Sequence, residues 1–159
     1  MPASLSSGNV SLSALVGNTV FEPVAPSDFD LLETTTLGTA TSSVSFTGLD
    51  SYTDYKHLQI REVCRTDRAA NSDGTTITFN GITSSSYAYH DLSGTGSSVT
   101  SGNASSQTRL YSGVTAGGTD TANSFGAIIY DILDFSDSSK NTTVRVLSGR
   151  IGTAPFLRL

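Results

Sequence analysis

The sequence has little of what most enzymes and metalloproteins use. Its 159 residues include no tryptophan, one cysteine, one methionine and two histidines. A lone cysteine excludes an internal disulfide and a metal site built from several cysteines. Charged residues make up only 14% of the chain, and the fourteen acidic residues outnumber the nine basic ones. The chain therefore lacks the dense basic patch that a nucleic-acid-binding protein needs.

Long apolar segments are also absent. No run approaches the roughly 18 consecutive apolar residues of a membrane-spanning helix. Residues 1–8 have neither the basic start nor the apolar core of a secretory signal. The glycine motifs that bind nucleotide phosphates do not occur. We therefore expect no membrane, no nucleic acid and no cofactor among the partners of this protein.

Small polar residues dominate what is present. The chain carries 26 serines, 22 threonines and 15 glycines, and hydrophobic residues account for 36%. Threonine favours strands and glycine favours turns, and several short segments alternate apolar and polar residues as half-buried strands do. The sequence predicts an all-β fold, an antiparallel β-sandwich or jelly roll. We expect strands at 29–37, 42–47, 55–66, 75–79, 87–92, 125–133 and 142–147.

Two local features refine the first half of this prediction. The alternation slips by one residue at Glu62 and Val63, which predicts a β-bulge. Residues 69–74 end in an Asp-Gly pair and predict a turn, after which 75–79 pairs back on the preceding strand.

Two longer segments stand out in the second half. Residues 93–124 consist mostly of small polar residues and predict a long loop, which in a compact domain is uncommon unless it is functional or packs against a partner. Residues 125–133 are apolar on both faces and predict a central strand.

Residues 1–27 differ from the rest in composition. They hold three of the four prolines and few charges, and proline interrupts regular ladders. We predict an extended N-terminal arm over 1–27, followed by a β-sandwich domain over 28–159. The candidate partner-contact residues are the apolar side chains of the arm, namely Val10, Leu12, Leu15, Val16, Val20 and Phe21.

The arm is expected to need pairing beyond its own side chains. Burying six apolar side chains contributes at most about 9–18 kcal/mol, whereas ordering some twenty residues costs roughly 20–40 kcal/mol of backbone entropy. Strand addition to a neighbour's sheet would supply that pairing. Packing of the arm along its own domain is the alternative.

Candidate catalytic residues are few. His57 and His90 are the only histidines, and no Gly-x-Ser-x-Gly nucleophile elbow occurs. Both histidines are predicted to be ordinary polar residues of strands. Cys64 lies in a strand-like run and is predicted to be a buried, unreactive thiol. We predict no catalytic residue.

Acidic residues are spaced unfavourably for metal binding. Asp131, Asp134 and Asp137 are three residues apart, so the first two point to opposite faces of a strand. Asp67, Asn71, Asp73 and Gly74 loosely resemble a calcium loop but lack the EF-hand spacing and its closing glutamate. We predict no metal site.

Several spaced motifs carry a resemblance. They include the Leu-Leu-Glu-Thr-Thr-Thr-Leu-Gly segment at 31–38, together with 55–61, 77–81, 87–90, 121–128 and 131–135. The chain resembles a family of small virion structural proteins of tailed bacteriophages over about residues 28–148. It departs from that family after Leu147, where further strands with a tryptophan are expected. A short family member, or a strand supplied by a neighbouring subunit, would account for this.

The resemblance implies a virion component on the outer capsid surface. The expected protein is a capsid cement or decoration protein that binds the major capsid protein and stabilises the shell. It would act as a homo-oligomer, with a trimer as the expected form. The alternative is a tail-fibre or receptor-binding module that recognises the host surface through residues 93–124. An enzyme is not expected, because no paired carboxylates fall in a recognisable context.

Overall fold

The computed structural model describes residues 10–12, 21–23, 29–152 and 155–159. The chain divides into two compact units, Met1–Phe46 and Thr47–Leu159. Within the described residues the regular structure is β, apart from one 3-10 turn at Leu49–Ser51, so the predicted all-β class is confirmed. The strands are β1 (Val10–Leu12), β2 (Phe21–Pro23), β3 (Leu58–Cys64), β4 (Ser72–Ile77), β5 (Tyr87–Gly94), β6 (Val99–Gln107), β7 (Leu110–Ala116), β8 (Gly126–Leu133), β9 (Thr143–Arg150) and β10 (Phe156–Arg158).

The first unit contains one short antiparallel pair. Strands β1 and β2 lie side by side, with Val10 opposite Pro23. Residues 29–46 adopt no helix or strand, so the predictions of strands at 29–37 and 42–47 are wrong. Alternation of apolar and polar residues gives a segment one apolar face, but a strand also needs a neighbouring strand with which to pair. None of the described strands pairs with residues 31–37 or 42–46. The predicted domain boundary after residue 27 stays a prediction.

The second unit is built on a six-stranded antiparallel sheet. Its order is β3-β8-β9-β10-β5-β6. Strand β8 lies between β3 and β9 from Gly126 to Ile132, so the prediction of an interior strand at 125–133 is confirmed. The physical reason is that β8 carries large apolar side chains on both faces, including Ile128 and Ile132 on one and Ile129 on the other.

A two-stranded antiparallel sheet, β4 with β7, packs against one face of the large sheet. Two glycines permit this close approach. A Cβ on Gly126 would lie 2.6 Å from the Cα of Thr115, and a Cβ on Gly113 would lie 2.5 Å from Ile128 Cδ1. The two layers form a β-sandwich, whereas the jelly-roll connectivity stays a prediction. The buried apolar side chains are Leu110, Val114, Ala116, Ile128, Tyr130 and Ile132.

The prediction of a long loop over 93–124 is wrong. This segment contains β6 and β7, and β7 is one of the two strands of the smaller layer. A segment rich in small residues is typical of a loop. Here the small residues instead allow two layers to pack closely, as Gly113 does against Ile128. The receptor-binding alternative therefore loses the loop that was expected to form its contact surface.

The predicted β-bulge at Glu62 and Val63 is also wrong. Strand β3 pairs with β8 in unbroken register from Leu58 to Cys64. Glu62 occupies a position facing the smaller sheet because the Tyr130 hydroxyl donates a 2.7 Å hydrogen bond to its Oε2. Val63 consequently faces away from that sheet and is 75% exposed.

The turn predicted at 69–74 ends earlier than expected. Strand β4 begins at Ser72 and includes Asp73 and Gly74. Asp73 Oδ1 accepts hydrogen bonds from Arg68 Nη1 and from the Gly74 N–H, each at 2.9 Å. Strand β4 then pairs with β7 rather than with the preceding strand.

Candidate interaction face

Alternation divides the six-stranded sheet into two unlike faces. The inner face lies toward β4 and β7 and carries Ile128, Tyr130 and Ile132 of β8. The intervening residues of every strand lie on the opposite face, here called the outer face. The strand registers fix which residues share it.

The outer face carries neighbouring apolar residues, some large and some small, here called the apolar patch. One row across the sheet runs Val63, Ala127, Gly149, Leu157, Gly94, Val99. The next row includes Leu147 and Leu92, which flank Leu159. Leu159 and Leu92 are joined by two backbone hydrogen bonds, at 2.9 and 3.1 Å.

These side chains are exposed despite their size. Val63 is 75% exposed and Val99 73%. Phe125 and Ile151, which directly precede β8 and follow β9, extend the patch at one end. Among the described residues of Thr47–Leu159, Ile82 is the one strongly exposed large apolar residue outside it. A contiguous apolar patch, unlike scattered apolar residues, is typical of an interaction surface.

A polar corner borders the patch on β3, β8 and β9. Asp131 accepts a hydrogen bond from Gln59 Nε2 at 2.7 Å and one from Arg145 Nη2 at 2.8 Å. Arg61 Nε donates to Gln59 Oε1 at 2.6 Å. The hydrogen bond from Gln59, together with that from Arg145, holds the pKa of Asp131 below its usual value. Asp131 is therefore ionised at neutral pH.

The inner face carries charged side chains that are largely buried and form ion pairs. Arg150 Nη1 donates to Asp120 Oδ2 at 2.7 Å, and both side chains are almost completely buried. Arg158 pairs with Asp91 at 2.7 Å and lies 4.4 Å from the centre of the Tyr111 ring. Such pairing offsets the cost of removing charges from water.

Arg65 fixes the loop that joins β7 to β8. Its guanidinium donates to four backbone carbonyls of this loop, at distances between 2.7 and 3.2 Å. A guanidinium presents several donors in a rigid fork, which suits this role. The acceptors are the carbonyls of Gly118, Asp120, Thr121 and Ser124.

The candidate catalytic residues are not brought together. His57 Nδ1 accepts a hydrogen bond from the Asp134 N–H at 2.9 Å, beyond the end of β8. His90 lies on the outer face of β5, opposite Asn103 of β6. Cys64 is half-buried, and burial, reinforced by a hydrogen bond with Glu62, raises its pKa to about 12. The thiol therefore stays protonated at neutral pH and is a poor nucleophile.

The acidic residues weighed as metal ligands are separated. Asp131 belongs to the polar corner, whereas Asp134 and Asp137 both contact the Lys140 ammonium. Hydrogen bonding to Lys140 lowers the pKa of Asp134. Among the described residues, no three His, Cys, Asp or Glu side chains are grouped so that they could hold a metal ion.

The predicted contacts of the arm are not tested by this structure. Val10 and Leu12 belong to β1, and Phe21 to β2. Leu15, Val16 and Val20 lie outside the described residues. The role of these six residues in partner binding stays a prediction.

The apolar patch escaped the sequence analysis, although signals for it were present. The step from Glu62 to Val63, which predicts a slip of the strand period, is instead an inward-facing glutamate followed by an apolar residue on the outer face. Leu147 directly follows the inward-facing Val146, so β9 is apolar on both faces in its middle. What the sequence could not supply was the placement of β10 between β9 and β5, which joins these residues to Leu157.

The comparisons with known proteins return no relative. The chain matches no protein-family model, and no curated protein or solved structure matches it significantly. The resemblance to phage virion proteins therefore stays a prediction. In the described part of the chain, no helix is long and apolar enough to cross a membrane.

Proposed function

We propose that this protein is a virion structural protein, a capsid cement or decoration protein of a tailed bacteriophage that binds the major capsid protein and stabilises the shell. The observation that carries the proposal is the apolar patch. A sheet face with many exposed large apolar side chains is typical of a subunit that is covered in an assembly. The sequence resemblance supplies the kind of assembly.

The charge of the chain also supports this function. A net charge of −5 and only 14% charged residues leave few ion pairs for binding. Association that rests on apolar contact is not weakened by salt screening. Such a subunit can stay attached to a particle over a wide range of ionic strength.

In this proposal the body and the arm have separate tasks. The second unit supplies self-association through the outer face. The N-terminal segment supplies the contact with the shell through the apolar side chains of residues 10–21. Several arms carried on one oligomer raise the effective concentration of each arm at its site.

Copy number in purified virions tests the function. We expect quantitative mass spectrometry to find hundreds of copies of this chain per particle, at a fixed ratio to the major capsid protein. A handful of copies would favour the tail-fibre alternative, and absence from the virion would overturn the proposal.

Binding to isolated capsids tests the arm. In the full chain, we expect the double substitution of Leu12→Ser and Phe21→Ser to reduce binding to expanded capsids at least about tenfold. The matched control replaces the neighbouring Ser11 and Ser13 by alanine and should bind as the wild type does. Unchanged binding of the Leu12→Ser, Phe21→Ser variant would remove the arm from the proposal.

A further inference from the structure

We propose that a second copy of this chain covers the apolar patch, and that the two outer faces pack against each other about a two-fold axis. This deepens the proposed function, since it names the partner of the outer face, and it takes a dimer in place of the trimer that the resemblance implies. The dimer can nevertheless be tested separately from capsid binding. The product would be a four-layered stack, with each large sheet between the other large sheet and its own smaller sheet.

The area of the face fits a stable dimer. The six strands average about seven residues, or roughly 24 Å, and lie about 4.8 Å apart, which gives roughly 650–700 Å² per copy. Two copies would therefore bury about 1,300–1,400 Å², and specific stable interfaces bury about 1,200–2,000 Å². The face is thus large enough to hold two copies together without a further partner.

The shape of the outer face is suited to contact with the outer face of a second copy. Leu157 stands in one row between Gly149 and Gly94. A Cβ on Gly94 would meet only the Ser98 carbonyl oxygen, at 3.9 Å, so the surface there is open. A two-fold axis brings the same patch of both copies together. Leu157 of one copy can therefore enter the hollow at Gly94 of the other.

The charge distribution also permits this contact. The row from Val63 to Val99 contains no charged residue across six strands. The charged side chains of Arg61, Asp131 and Arg145 lie together at one corner of the face, where Arg145 donates hydrogen bonds to Asp131 and Arg61 donates one to Gln59. No charge needs to be buried in the centre of the dimer.

Sedimentation equilibrium of the full chain at tens of micromolar tests this proposal. We expect a mass twice the 16.5 kDa of the chain, unchanged between 0.15 and 1 M NaCl. Leu157→Glu places two unpaired charges in the interface, and Gly94→Leu fills the hollow without adding charge. Each variant should raise the dimer dissociation constant roughly 100-fold or more.

The matched control is Ile82→Glu, which puts the same charge on an exposed apolar residue outside the patch. It should leave the dimer intact. Circular dichroism will show whether each variant is folded, and Val63→Glu replaces Leu157→Glu if that variant does not fold.

Three outcomes would overturn the inference. They are a monomeric wild type, a trimer, and a dimer that all the patch variants leave intact. A dimer that fails to bind capsids would refute the proposed function while the dimer stands. A monomer that binds capsids would refute the dimer alone.

Discussion

Strand β9 carries one arginine on each face of the six-stranded sheet, and the two differ in their surroundings. Arg150 lies on the inner face, where its side chain is 4% exposed and bound to Asp120. Arg145 lies on the outer face, where its side chain is 77% exposed and bound to Asp131. The same kind of ion pair is therefore buried on one face and solvated on the other.

The apolar residues show the opposite distribution. Val63 and Leu157 lie exposed on the outer face, whereas Glu62 and Arg158 point inward beside them in the chain. Buried polar groups and exposed apolar patches are the informative departures from an ordinary surface. On the inner face the guanidinium groups of Arg150 and Arg158 each have a carboxylate partner within the chain, although the buried Nε of Arg150 has no hydrogen-bond partner among the described residues. On the outer face the apolar groups need a partner from outside the chain.

The largest effect is expected from breaking the buried pair. Asp120→Ala leaves the Arg150 guanidinium buried without its counter-charge, which costs about 3–5 kcal/mol. We expect urea unfolding to show this loss in the free energy of unfolding. The matched substitution on the outer face, Asp131→Ala, should cost about 1 kcal/mol or less.

The double variant of Asp120→Leu with Arg150→Met provides the control. Replacing both charges by apolar side chains should restore much of the stability, because no unpaired charge remains. Similar losses in Asp120→Ala and Asp131→Ala would show that the two faces do not differ in this way.

A pair of glycines gives a second, smaller contrast. Gly126→Ala on the inner face would push a methyl group against the Thr115 backbone, and such overpacking costs about 1–3 kcal/mol. Gly149 lies on the outer face of the adjacent strand, outside the left-handed region, where a Cβ would have only ordinary contacts at 3.7 Å. Gly149→Ala should be neutral or stabilise by about 0.4–1 kcal/mol.

Thermal unfolding of both alanine variants measures this contrast. Neither glycine substitution changes the charge of the protein, so their comparison is independent of the Asp120–Arg150 ion pair. A destabilising Gly149→Ala, with a neutral Gly126→Ala, would contradict the assignment of the two faces.

The sequence predicted the parts of this fold whose pattern is local. Strand β8 has apolar residues on both faces, and its interior position follows from that pattern alone. Strand β7 was missed because Gly113 and its small neighbours indicate a loop unless the packing on Ile128 is known. Glu62 was misinterpreted because its partner, Tyr130, is distant in the chain.

The apolar patch depends even more on the pairing of strands that are distant in the sequence. Leu92, Leu147 and Leu157 become neighbours only because β10 pairs with both β5 and β9. No single segment of the sequence carries that information. Local alternation can identify one apolar face of a strand, but it cannot show which strands share a sheet.

The smallest effect is expected from the polar corner, and it depends on pH. Hydrogen bonds from Gln59 and Arg145 hold the pKa of Asp131 below its usual value in the folded chain. Because the folded pKa lies below the unfolded one, these contacts stabilise the fold above the unfolded pKa. Their contribution is lost as the pH falls through the folded pKa.

We therefore expect Gln59→Ala and Arg145→Gln each to lower the free energy of unfolding at pH 7 by about 1 kcal/mol or less, because the pair is largely solvated. The difference from the wild type should shrink as the pH falls below about 4, near the ordinary pKa of an aspartate. Urea unfolding across this range, with an NMR titration of the Asp131 carboxyl, measures both effects. A difference that grows on acidification would mean that these side chains stabilise the fold through contacts other than those with the Asp131 carboxylate.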